Sequence, residues 1–291
     1  MGGIVATVAG GYLLAMGLLF VFQRQLLYYP SGERPSLETA GLAGRMTPVR
    51  LTTADGLELL AWYAAAAEGR PTVVYFHGNA GHIGYRADKV RPYLAAGLGV
   101  LLLEYRGYGG NPGRPSEDGL YADARAALDF LDGAGVAAGR RVLYGESLGS
   151  AVAVRMAAER AARLGEASGE ARVGAIVLEA PFTSVPALAQ SKFPIFPTRW
   201  LVRDRLDSLA RIGAIGAPVL VLHGEQDQVV PIRFGRTLFA AANDPKEMRI
   251  FPAAGHEDLD AHGVAEAVLD FLERHLPEKG GKRGQSPLLT R

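Results

Sequence analysis

From residue 48 to residue 276 the chain alternates short, largely apolar runs with stretches of helical period, and few folds accept that order. Residues 72–76, 100–105, 141–144, 175–178 and 218–223 are runs of this kind, with 248–251 as a further one. A run without polar alternation suits a parallel strand buried on both faces. Between the runs lie the helical stretches 83–96, 117–131, 148–164, 232–242 and 264–276. In 117–131 the apolar residues Leu120, Ala124, Ala127, Leu128 and Leu131 recur at spacings of three and four, the period of one helix face. Ahead of them, 48–53 and 57–64 are separated by Ala54-Asp55-Gly56 and predict an antiparallel hairpin. The expectation is an α/β fold: a mostly parallel, eight-stranded sheet with helices on both faces and right-handed crossovers.

The chain begins with a different kind of segment. Residues 1–22 contain no charged side chain, and residues 4–22 read IVATVAGGYLLAMGLLFVF. As a helix those nineteen residues would reach about 28 Å, close to the roughly 30 Å hydrocarbon core of a bilayer. Gly10, Gly11 and Gly17 are tolerated in membrane helices, and Tyr28 and Tyr29 follow Arg24 as interfacial anchors would. A cleaved signal peptide would want a basic residue before the run and a small-x-small site after it, and a buried core helix is the third reading. The favoured reading is an uncleaved single-pass membrane anchor. Arg24 and Arg34 lie after the run, which tilts the positive-inside rule toward a cytoplasmic catalytic domain.

Composition closes several classes. A net charge of +1 over 291 residues argues against nucleic acid as a partner, which calls for a strong basic excess or stripe. With no cysteine there is no disulfide scaffold, zinc ribbon, iron–sulfur site or cysteine nucleophile. The near-zero charge is not uniform. Arg24 is the one charge in residues 1–30, and residues 277–291 carry Lys279, Lys282, Arg283 and Arg291 against Glu278, which leaves residues 31–276 at −3.

The residues that carry chemistry sit at the ends of the predicted strands. Gly145-Glu146-Ser147-Leu148-Gly149 follows one strand and opens a helix. Five residues of this form are weak evidence alone, but a serine on a sharp strand-to-helix turn is presented above the sheet, and the flanking glycines permit the turn and the close helix packing. A serine hydroxyl needs a base to take its proton and an acid to orient that base. After Ser147 the histidines are His223, His256, His262 and His275. His256 follows Pro252-Ala253-Ala254-Gly255, a loop after the last strand, where an open α/β sheet places its ligands. His223 ends an apolar strand and is expected to pack there, and His262 and His275 belong to the terminal helical region. The acid should come from the loop Gly224-Glu225-Gln226-Asp227-Gln228, where Asp227 and Glu225 compete and Asp227 is favoured. An oxyanion site needs two backbone N–H donors, expected from Leu148 and from Asn79 in the loop His77-Gly78-Asn79-Ala80-Gly81. His77 in that loop is expected to brace it by hydrogen bonding.

These pieces together resemble the α/β-hydrolase superfamily, and in detail its membrane-anchored, bud-emergence-type branch. The resemblance runs from about residue 22 to residue 276 through FHGNAG at 76–81, YRGYG at 105–109, GESLGS at 145–150, APFTS at 180–184, DRLDSL at 204–209, HGEQDQVVP at 223–231 and AGHEDL at 254–259. It implies a Ser147–Asp227–His256 triad with donors at Asn79 and Leu148, and hydrolysis of esters or thioesters through an acyl-enzyme, with no metal or organic cofactor. The implied substrate is a small-molecule or lipid-like acyl ester or thioester, since some relatives remove fatty acyl groups from protein cysteines. His82 and Tyr85 stand where relatives often carry Asn and His.

Residues 181–215 lie between two strands and are expected to form a small cap. Phe182, Phe196 and Trp200 are the candidate substrate-binding side chains there, and the same apolar surface would also serve a helix packed on the sheet. The expected division is an anchor at 1–30, one catalytic domain at 31–276 and a flexible basic tail at 277–291. Peptide cleavage, acyl transfer and a non-catalytic scaffold are the alternatives for the same fold.

Overall fold

A computed structural model describes residues 2–164 and 172–276, and the expected basic tail at 277–291 lies outside the described residues. In chain order the elements are α1 (Gly2–Leu27), β1 (Tyr29–Pro30), β2 (Thr47–Thr52), β3 (Glu58–Ala64), β4 (Thr72–Phe76), β5 (Ala80–Gly81), α2 (Ala87–Ala95), β6 (Gly99–Leu103), α3 (Glu117–Gly133), β7 (Arg141–Glu146), α4 (Leu148–Leu164), β8 (Ala175–Glu179), α5 (Val185–Lys192), α6 (Thr198–Leu201), β9 (Val219–Gly224), α7 (Arg233–Ala241), β10 (Lys246–Phe251) and α8 (Val264–His275).

Eight strands form one sheet in the order β10-β9-β8-β7-β4-β6-β3-β2. The β2–β3 and β3–β6 pairs are antiparallel and the rest parallel. The period of two along each strand sends alternate residues to opposite faces. From β4, Val74 and Phe76 join Leu120 of α3, Val152 of α4 and Leu238 of α7 in one core. Val73 and Tyr75 join Val90 of α2 and Phe271 of α8 in the other. The strands are buried on both sides because helices cover both sides, as the unbroken apolar runs require.

The chain leaves β4 toward β6, then crosses back to β7 and continues outward through β8, β9 and β10. The order therefore reverses between β4 and β7, and a crevice opens at the carboxyl ends of the strands there. The loop after β4 and the turn after β7 meet at that point.

Several local expectations shift. The stretch 83–96 is not one helix: residues Ile83–Arg86 form a 3₁₀ turn whose cap is His82, its Nδ1 accepting from Gly84 N at 3.1 Å, and α2 follows. β6 ends at Leu103, two residues short of the expected run, as Tyr105 turns its ring against His77 with centroids 4.4 Å apart. The reading of Tyr28 as an interfacial anchor is overturned, since its ring is buried in the body and its hydroxyl donates to Asp204 Oδ2 at 3.1 Å. Tyr29 and Pro30 also belong to the folded body, paired as β1 with β5 in the loop after β4.

α1 contains no buried residue, which removes the core-helix reading of the apolar segment. At 26 residues it is about 39 Å long, and it is apolar enough to cross a membrane. Residues 181–215 include α5, α6 and a 3₁₀ turn at Ile212–Ala214, and stand over the carboxyl end of the sheet beside α1.

Candidate active site

The strand-to-helix turn after β7 is forced by sequence at three positions. Ser147 adopts φ of 49°, in the left-handed region that a residue with a Cβ enters at a cost of about 1–3 kcal/mol. A Cβ on Gly149 would stand 1.9 Å from Phe76 O, and one on Gly145 would stand 2.4 Å from Gly149 O. Glycine at 149 lets α4 start this close to β4, and glycine at 145 lets the chain fold back this tightly from β7 into α4. The strain is held by a backbone bond from Ser147 N to Glu179 O at 2.8 Å, and by Ser150 Oγ donating to Ser147 O at 2.6 Å.

Ser147, His256 and Asp227 come together from the ends of β7, β10 and β9. Ser147 Oγ lies 3.1 Å from His256 Nε2, and His256 Nδ1 lies 2.7 Å from Asp227 Oδ2. The other carboxylate oxygen, Asp227 Oδ1, accepts from the backbone N–H groups of Val229 at 2.8 Å and Val230 at 2.7 Å. Burial pushes the Asp227 carboxyl up, but the hydrogen bonds from His223 and His256, the His256 charge and the Val230 N–H outweigh it and hold the group well below the ordinary carboxylate range. A permanent carboxylate here fixes the imidazole with Nδ1–H toward Asp227 and the Nε2 lone pair toward Ser147. Glu225, the competing acid, is exposed and faces Arg236 at 3.9 Å.

His223 is buried, as its strand position predicts, but it does more than pack. Its Nε2 lies 2.8 Å from Val230 O and 3.4 Å from Asp227 Oδ2. Both neighbours are acceptors, so Nε2 carries the proton. Gly235 makes room for the ring, since a Cβ there would stand 2.3 Å from His223 Nδ1. Reading the sequence alone missed this contact. The four-residue spacing to Asp227 was its only trace.

His77 braces its loop as expected. It is fully buried, with Nδ1 2.7 Å from Gly78 O and Nε2 3.1 Å from Glu104 Oε1. Glu104 Oε2 in turn accepts from Ile83 N at 2.9 Å. Asn79 is held from three sides. Its carbonyl accepts from Tyr29 N and from the Tyr108 hydroxyl, both at 2.9 Å, and its side-chain amide donates to Leu27 O at 3.0 Å. Leu148 opens α4, where the first N–H groups have no acceptor within the helix.

Beside the turn lies a partly buried charged layer. Arg86 donates twice to Glu146, from Nη2 at 2.8 Å and Nε at 3.1 Å, and Tyr75 Oη donates to Glu146 at 2.8 Å. Lys89 Nζ pairs with Glu179 at 2.6 Å. Burial raises the Glu146 carboxyl, yet the Arg86 and Lys89 charges win and lower it to about 2.

Ser147, Leu148 and Asn79 line one cavity of about 320 Å³. Phe182 and Phe196, two of the candidate substrate-binding side chains, line it too. Trp200 does not: it points outward at 78% exposure, because α6 is a single turn that offers the cavity Thr198 and Leu201 instead. α5 adds Val185 and Leu188, the loop after β9 adds Val229 and Val230, and one further wall comes from α1, through Leu19, Leu26 and Leu27. That contribution was hidden in the sequence, where these residues read only as membrane anchor.

The comparisons with known proteins agree with this architecture. A family model described as serine aminopeptidase, S33, matches residues 67–206. The chain is similar to an uncharacterized Mycobacterium tuberculosis protein, Rv2307c, 41% identical over 276 residues and covering 92% of each chain. It is also similar to protein bem46 of Schizosaccharomyces pombe, 32% identical over 279 residues and covering 89% of each. Among solved structures it is similar to an esterase of Pyrococcus furiosus, with a TM-score of 0.68 at 19% identity over 86% of this chain and 97% of that one. On fold, motif order and sequence likeness together, the chain belongs to the α/β-hydrolase superfamily, in the branch that contains bem46.

Proposed function

We propose that the protein is a membrane-attached serine hydrolase that cleaves acyl esters or thioesters through Ser147, His256 and Asp227. The observation that carries this is His256, whose two ring nitrogens reach Ser147 and Asp227 at the edge of an apolar cavity. Ser147 Oγ attacks the acyl carbonyl while His256 Nε2 takes its proton. The N–H groups of Leu148 and Asn79 receive the negative oxygen, each such donor being worth about 10²–10³ in rate. The tetrahedral intermediate collapses, His256 returns the proton to the departing alcohol or thiol, and the acyl group remains on Ser147. Water then repeats the sequence with His256 as base, which releases the acid. No step needs a metal or an organic cofactor.

The anchor in this reading is α1, which ends at Leu27; Tyr28, Tyr29 and Pro30 join the catalytic domain that runs on to residue 276, and 181–215 is its cap. Because Leu19, Leu26 and Leu27 complete the cavity, cleavage of the segment as a signal peptide would remove a wall of the site. Peptide cleavage, suggested by the description of the family model, is the second reading. An amino-terminal ammonium would need a free carboxylate in the cavity, but Asp204, which lines it, is bound by two 2.9 Å bonds from Arg24. The apolar walls favour an acyl chain.

Purified full-length protein should label with a fluorophosphonate and hydrolyse p-nitrophenyl esters, and Ser147→Ala should do neither. Ser147→Ala protein that turns over these esters at the wild-type rate would refute the assignment. Faster turnover of aminoacyl amides than of acyl esters would favour the second reading.

A further inference from the structure

The cap and the apolar helix are joined along their length. Tyr12 Oη donates to Ile195 O at 2.7 Å, and its ring stacks on Phe196 with centroids 5.5 Å apart. The Arg203 guanidinium lies over the Phe20 ring at 4.1 Å. The Gln23 side chain donates to Leu201 O at 3.2 Å and accepts from Arg203 N at 2.7 Å. Arg24 and Tyr28 close the seam on Asp204. Residues 195–204 therefore run beside α1 from Tyr12 to Arg24, about 18 Å at 1.5 Å per residue.

That seam constrains where lipid can be. Tyr12 is ten residues inside the apolar run that ends at Phe22, or about 15 Å, half the thickness of a hydrocarbon core. A helix in the bilayer must carry the cap tip with it. The tip is chemically suited to this: Phe193, Ile195 and Trp200 are 51%, 71% and 78% exposed. Residues 181–215 hold five basic side chains (Lys192, Arg199, Arg203, Arg205 and Arg211) against Asp204 and Asp207, on a body that is acidic overall. Aromatic and aliphatic tips edged by basic groups match the boundary between acyl chains and anionic headgroups. Phe193 belongs both to the exposed patch and to the cavity wall, so cavity and patch are continuous.

We propose that residues 193–201 insert into the leaflet beside α1, and that the acyl chain of a membrane-resident ester or thioester enters the cavity sideways from the lipid, past Phe193. The substrate class is then a long-chain acyl compound held in the bilayer with its carbonyl at headgroup level. This rests on the proposed anchor and on the proposed role of Ser147, and extends both.

The test uses full-length protein in vesicles of phosphatidylcholine with one quarter phosphatidylglycerol. The chain has two tryptophans, and Trp62 is buried in the sheet. Lipid brominated at mid-chain should quench the wild type about twofold more than Trp200→Phe, as expected for an aromatic ring at the interface. Equal quenching of the two, in protein that floats with the vesicles, overturns the proposal and leaves the anchor standing. Protein that does not float with the vesicles overturns both. In the activity arm, Ile195→Asp should slow hydrolysis of a long-chain ester embedded in the vesicles on the order of tenfold, since a charge replaces an apolar side chain in the leaflet. It should change turnover of soluble p-nitrophenyl butyrate by less than about twofold, the limit expected of a surface substitution outside the cavity. Equal effects on the two substrates overturn lateral entry. If wild-type protein hydrolyses neither, the catalytic reading falls, and the quenching result still decides the position of the cap.

Discussion

Replacing Asp227 with asparagine tests the site through one hydrogen-bond argument. Asp227 Oδ1 accepts two backbone N–H groups, from Val229 and Val230, while Oδ2 faces His256 Nδ1 at 2.7 Å and His223 Nε2 at 3.4 Å. An asparagine must choose an orientation. Turning its NH₂ toward Val229 and Val230 would set donors against two donors and cost about 1–3 kcal/mol for each group left unsatisfied. Its carbonyl therefore stays there, and its NH₂ faces the histidines. His256 can then answer only with a lone pair on Nδ1, which moves its proton to Nε2 and points it at Ser147. The proposed base has then become a donor toward the proposed nucleophile. For serine enzymes with this arrangement the loss is about 10⁴ in rate, or about 5.5 kcal/mol of transition-state stabilisation. The fold should persist, since both backbone bonds remain. The assay is steady-state hydrolysis of p-nitrophenyl butyrate together with the rate of fluorophosphonate labelling. Asp227→Asn protein that retains more than a tenth of wild-type activity, with an unchanged unfolding midpoint, would refute the tautomer argument.

Two further outcomes follow from the turn that carries Ser147. Gly149→Ala places a methyl 1.9 Å from Phe76 O and 2.8 Å from His77 O, so α4 must move off β4; chemical denaturation in detergent should show a loss at or above the roughly 1–3 kcal/mol typical of overpacking. Glu146, lowered from 4.5 to about 2, adds stability that is fully present above pH 4.5 and disappears as pH falls through about 2. That contribution is on the order of 3 kcal/mol. Glu146→Gln should thus be less stable than wild type at pH 7, and the gap should narrow toward pH 2 in urea midpoints. A gap that is constant with pH would show that the Arg86–Glu146 pair is not its source.

The sequence carried the sheet because burial on both faces leaves a one-dimensional mark. The runs 72–76, 141–144, 175–178 and 218–223 became β4, β7, β8 and β9 with ends shifted by no more than two residues. The candidate site residues were legible for a related reason: strand-to-helix turns at the carboxyl edge all open on one crevice, so strand order alone points Ser147, Asp227 and His256 toward each other. What escaped was every pairing across the chain that leaves no local pattern. Tyr28 looked like a membrane anchor beside Arg24, and instead both meet Asp204, some 176 and 180 residues away. Trp200 looked like a pocket residue, and a single turn of α6 aims it outward.

The sequence by itself determined which faces are buried and which turns are tight, since hydrophobic period and glycine placement are local properties of the chain. It did not determine that α1 forms a wall of the cavity, or that His223 faces the far side of Asp227. Those depend on the distance and angle between elements far apart in sequence, and side-chain packing in three dimensions is what sets them. The apolar segment at the start of the chain thus reads as an anchor from its composition, and only its contacts with the cap make it part of the site.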